Sequence, residues 1–170
     1  MTDSIIWRAT NGNLTADGAS TANIVRFNEG SVNQNGYIYK SEFDVRISVP
    51  ENERISEDLN AIQDMGMDGI DITLTGMIEE SDSETTNTKV VNLMTWLKEA
   101  KTDSDFAFGK FGLYLPDFPH FNCQPKNTGT PQYGYIIAGI RFIRDGEDVN
   151  KVGVIIQLRY AGDKSGLGTP

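Results

Sequence analysis

The stretch 37–49 constrains the fold of this chain more than any other. Its odd positions are Tyr37, Tyr39, Ser41, Phe43, Val45, Ile47 and Val49, and its even positions from Lys40 are Lys40, Glu42, Asp44, Arg46 and Ser48. Alternation with charge on one side defines a strand that sets one face on a core and the other in solvent. That alternation assigns Tyr37 and Tyr39 to the core face. At ~3.3 Å per residue the run reaches about 43 Å, longer than an ordinary strand, so it bends or passes from one sheet to another. Pro50 stops it.

The rest of the chain supplies partners for such a strand. Ile70, Ile72 and Leu74 alternate with Asp71, Thr73 and Thr75, giving a second strand over 70–78. Between the two, residues 51–69 are acidic and fit either a short helix carrying Ile55, Leu59 and Ile62 or an extended loop. After a solvated run at 79–86 the period changes. Val90, Leu93, Met94 and Leu97 fall three and four apart, which predicts a helix over 88–101, capped by Asn87 or Thr88, with Lys98 and Lys101 near its C-terminal end. So short a helix requires a sheet to cover. Residues 106–115 read as a strand interrupted by Gly109 and Gly112, and 116–132 as a long proline-bearing loop. A hairpin follows, one arm at 133–144 with Ile136, Ala138, Ile140 and Phe142 on one face. The other arm, 151–160, sets Val152, Val154, Ile156, Leu158 and Tyr160 on one face. Two short apolar runs, 4–8 and 23–28, predict minor strands in a polar N-terminal arm of about 36 residues. The Gly-rich segment 161–170 reads as a flexible tail.

These elements fit one domain of 170 residues. The expected class is mainly β, an antiparallel sandwich or partly closed barrel with one flanking helix. With 24 acidic against 15 basic residues, the net charge of −9 disfavours phosphate-backbone binding and docking on anionic lipid. Solubility is the simplest consequence of that charge. One cysteine excludes an intrachain disulfide, and Met1-Thr2-Asp3-Ser4 does not open a secretory signal. No apolar run nears the ~20 residues of a membrane span, so no membrane partner is expected.

Catalytic chemistry is hard to build from what is present. Asp117, His120 and Cys123 could be imagined as a thiol nucleophile with its base and orienter, or as three metal ligands. Nucleophile and base normally meet across a fold, however, and Cys123 lacks a setting that lowers a thiol pKa. A Pro- and Phe-pinned loop packed on the sheet accounts for the same residues. The acidic clusters Glu79, Glu80, Asp82 and Glu84, and Asp145, Glu147 and Asp148, fall between regular elements and read as solvated loops. Neither a phosphate-cradling loop nor a dinucleotide fingerprint occurs. The expectation is therefore no enzyme, no cofactor and no metal. Phe118 and Phe121, beside prolines in the long loop, are the aromatics expected to anchor in a neighbouring subunit.

The order of Ile70-Asp71-Ile72-Thr73-Leu74-Thr75-Gly76, the helix at 88–101 and the final strands at 133–144 and 151–160 resembles the tail tube proteins of tailed phages. That resemblance covers element order over roughly 37–160. It implies a virion protein, made in the host cytoplasm, that forms rings, usually hexameric, stacking into a tube with other tail proteins, with DNA passing through without specific binding. By the same analogy Lys40, Glu42, Asp44 and Arg46 would face the lumen. Residues 51–69, with Ile55, Leu59 and Ile62, would reach the next ring. A terminator, connector or baseplate role fits similarly, and a carbohydrate-binding β-sandwich is the competing class.

Overall fold

In the computed structural model, residues 4–8, 24–27, 36–47, 67–102, 110–125, 133–144, 146–162 and 167–168 are described. Seven strands occur among them: β1 (Ser4–Arg8), β2 (Ile24–Phe27), β3 (Tyr37–Ile47), β4 (Met67–Glu79), β5 (Phe111–Tyr114), β6 (Tyr133–Arg144) and β7 (Lys151–Gly162). One helix, α1 (Thr86–Thr102), follows β4, and a 3-10 turn (Pro119–Phe121) follows β5. The strands form one antiparallel sheet in the order β2-β1-β5-β6-β7-β4-β3. It curls into a half-barrel with one helix, so the fold is mainly β and takes the partly closed form of the expected class.

The core lies on the face to which β4 and β7 send their even-numbered side chains. Ile70, Ile72, Leu74 and Ile78 are buried there beside Val152, Val154, Ile156 and Leu158. Register brings them together, Ile72 opposite Leu158 and Leu74 opposite Ile156. Both strands follow the expected alternation, because a one-residue slip would expose the whole apolar set.

Two bulges alter the expectation for their neighbours. In β3 the pairing steps from Ile38 opposite Gly76 to Lys40 opposite Thr75, so Tyr39 is the extra residue. An extra residue shifts the phase of alternation by one. Ile38 therefore packs on the core with Phe43, while Tyr37 lies opposite Met77 on the outer face and Tyr39 is 60% exposed, which corrects the assignment of both tyrosines to the core face. At this bulge the two backbones approach closely, and a Cβ added at Gly76 would lie 2.3 Å from the carbonyl oxygen of Tyr37. In β6 the extra residue is Ala138, between Ile137 opposite Leu158 and Gly139 opposite Gln157. Tyr135 and Ile137 thus join Ile140 and Phe142 on the core side, and Ile136, expected there, is 41% exposed.

The helix starts slightly earlier than its spacing suggests. The cap is Thr85 rather than Asn87 or Thr88: its Oγ1 accepts from the Thr88 backbone N–H at 3.2 Å. Leu93 and Trp96 are buried, with Val90 and Leu97 partly so, and Trp96 meets Phe111 of β5 at 5.6 Å between ring centroids. Met94, expected on this face, is 55% exposed. On the opposite border of the stripe Lys89 is buried, and its Nζ donates to the Glu79 carbonyl at 2.8 Å. The helix start is tied to the last hairpin as well. The Asn150 carbonyl accepts from Glu80 N–H at 3.1 Å and from Thr86 Oγ1 at 2.6 Å.

Both N-terminal apolar runs are strands of this sheet, β1 lying between β2 and β5. At the other end Ala161 and Gly162 complete β7, and Leu167 bridges Cys123, so these parts of the expected tail are held by backbone pairing. No helix among the described residues is long and apolar enough to cross a membrane.

Candidate functional site

Strand β3 is an edge of the sheet, with β4 as its one strand neighbour among the described residues. Lys40, Glu42, Asp44 and Arg46 are all exposed on it, as its polar alternation requires. Lys40 and Glu42 are paired at 2.9 Å. Register sets Asp44 directly opposite Asp71 of β4, and Asp71 opposite Arg159 of β7. Facing carboxylates repel. Arg46 and Arg159 offset that repulsion by both engaging Asp71, Arg159 through Nε to Oδ1 at 2.8 Å. Farther along, Lys151 of β7 pairs with Glu79 of β4 at 3.2 Å, and the Glu79 carboxylate raises the Lys151 pKa. The outward face of β3, β4 and β7 is therefore a lattice of both signs. The sequence showed the four charges of β3 directly, whereas Asp71 and Arg159 become members only once the pairing register is known.

Phe118 and Phe121 are placed by the turn that follows β5. Phe118 N–H donates to the Leu115 carbonyl at 3.1 Å, and Phe121 N–H to that of Phe118 at 3.0 Å. Tyr135 Oη donates to the Phe121 carbonyl at 2.8 Å. The turn carries both rings to Phe43 of β3, Phe121 stacked at 4.1 Å and Phe118 tilted at 4.8 Å between centroids. Because β5 and β3 are far apart in strand order, this contact spans the curl of the sheet. The two phenylalanines expected at a subunit contact are thus engaged inside the chain, with 43% of Phe118 left exposed. The other expected contact residues, Ile55, Leu59 and Ile62, lie outside the described residues.

Asp117, His120 and Cys123 do not form a nucleophile site of the usual kind. Asp117 and His120 are exposed, whereas Cys123 is buried in a backbone bridge to Leu113. Burial pushes the Cys123 thiol up to about 12, although the nearby Lys110 acts in the opposite direction. An activated thiolate requires the reverse balance.

No protein-family model, curated protein or solved structure matches the chain. The fold defines a mainly β half-barrel with one helix, and its distinctive surfaces are the charged outer face and the β3 edge.

Proposed function

We propose that this chain is a structural subunit that assembles with copies of itself, as a tail tube subunit of a phage-like particle. The observation that carries the reading is the β3 edge, 11 residues long and without a second strand neighbour among the described residues. A long edge of unpaired backbone groups invites pairing, and closed symmetry removes such edges. The row Lys40, Glu42, Asp44 and Arg46 would then line a channel. The net charge of −9 suits a wall past which DNA moves without sticking. A terminator, connector or baseplate subunit would use the same edge.

Light scattering across a concentration series, with negative-stain images of the same sample, tests the proposal. Rings or tubes with a central hole are the expected result. A monomer at every concentration, also in the presence of preformed tails, would remove it. The exposed Tyr39 beside Tyr37, at 6.3 Å between centroids, gives the carbohydrate-binding alternative its one specific support. Thermal stabilisation by a glycan, lost in Tyr39→Ala, would favour that class instead.

A further inference from the structure

Asn122 and Cys123 lie between two other pieces of chain. On one side Leu113 N–H donates to the Cys123 carbonyl at 3.1 Å and Cys123 N–H returns a bond to Leu113 at 2.9 Å. On the other side Leu167 bridges Cys123 in antiparallel fashion, and Gly168 N–H donates to the Asn122 carbonyl at 2.7 Å. Leu167 packs partly buried against the core. Gly168 has φ +77°, a conformation that favours glycine. The 118–121 turn comes immediately before this ladder, and Asn122 Oδ1 secures it by accepting from Leu115 N–H at 2.6 Å. The far side of the turn holds Phe118 and Phe121 on Phe43.

Contacts therefore run in series from Leu167 and Gly168, through Asn122 and Cys123, to the aromatic turn and then to β3. We propose that Leu167 and Gly168 act as a strap. Seated beside Asn122 and Cys123, they hold the 118–121 turn closed on β3. Unseated, they release Phe43 and loosen the edge strand that carries it. Among the described residues the strap is seated by the Leu167–Cys123 bridge, with its Gly168–Asn122 hydrogen bond, and by one partly buried leucine, far less than holds the sheet, so it opens by a local step rather than by global unfolding. Its importance for assembly rests on the function proposed above; the strap itself does not.

Cys123, the sole cysteine and the residue that Leu167 bridges, is fully buried and so reports on seating. The experiment measures its rate of reaction with an aromatic disulfide reagent, well below the melting transition, in the full chain and in Leu167→Ala, Gly168→Ala and Leu167→Asp. Hydrogen exchange at 118–123 and 42–44 and the thermal midpoint are followed on the same samples. The thiol rate is expected to rise in all three variants, most in Leu167→Asp, by about tenfold for each ~1.4 kcal/mol of seating lost. Protection should fall at 118–123 and at 42–44 while the midpoint changes little. Unchanged thiol rates, or rates that rise only where the midpoint collapses, would overturn the strap. Faster thiol reaction with undiminished protection at 42–44 would overturn its link to β3. Should Leu167→Asp fail to fold, the two alanine variants decide. Particle size recorded in parallel keeps the proposals separate: a strap that opens in a permanently monomeric protein stands, and the assembly reading alone falls.

Discussion

Asp71 is the residue on which the outer face turns. It faces Asp44 across β3 and β4 and is engaged by Arg46 and Arg159. Both arginines are more than half exposed, so solvent discounts these pairs heavily. Asp71→Asn is expected to cost about 0.5–1 kcal/mol by urea denaturation, an effect that shrinks as salt is added. Asp44→Asn should have the opposite sign, gaining a few tenths (~0.3 kcal/mol), because it removes the carboxylate opposite. Within the core, the stacked pair Phe43–Phe121 should show a coupling of about 1 kcal/mol in a double-mutant cycle. Cys123 governs behaviour in alkali. Burial raises its pKa from 9.0 to about 12 and also raises that of Tyr135 from 10.0. The folded chain thus keeps protons that the unfolded chain releases, so the stabilisation is whole below pH 9.0 and is lost as pH climbs toward 12. The urea midpoint should fall through that window. Cys123→Ala should abolish the part that begins near 9.0 and spare the part due to Tyr135; a midpoint flat with pH would contradict the burial of both groups.

At the scale of elements, the apolar periods located β4, α1, β6 and β7 because each buries one continuous face. What they could not convey was phase across a bulge. Tyr39 and Ala138 each add a residue without changing local composition, so Tyr39 and Ile136 look like core residues until pairing is known. The helix stripe misled at Met94 for another reason: the covered face is turned toward Trp96 and Lys89, whose long stem can bury carbon and still reach a carbonyl, and away from Met94 on the other border. Packing of the Pro- and Phe-bearing loop on the sheet was legible, but its landing on Phe43 of the distant edge strand was not, since that depends on the sheet's curl. These devices predict contrasting deletions. Removing Tyr39 leaves Ile38 and Lys40 in regular pairing with Gly76 and Thr75, so the sheet should survive with a small change in thermal midpoint. Removing Ser41 instead can be absorbed by the bulge only by turning Lys40 into the core-side place opposite Leu74, and should lower the midpoint more than removing Tyr39 does. Thr85→Ala should cost about 1 kcal/mol through the lost cap, read by the same melts.

For the whole molecule, assembly through the β3 edge carries its own test. Adding lysines on that strand, Tyr39→Lys with Val45→Lys, should reduce particle size by light scattering while leaving the melting transition nearly unchanged. Both residues are already substantially exposed, which is why folding should tolerate the change. The strand order has a consequence in time as well as in space. β4 sits between β3, made just before it, and β7, the last strand along the chain. β1 likewise awaits β5. A ribosome releasing this chain would deliver the β3–β4 hairpin with one side of β4 unmatched until β7 emerges, so most of the sheet must close late and across long separations. Refolding should accordingly be slow for the chain's size, and nascent chains halted before β7 should be the ones that chaperones retain.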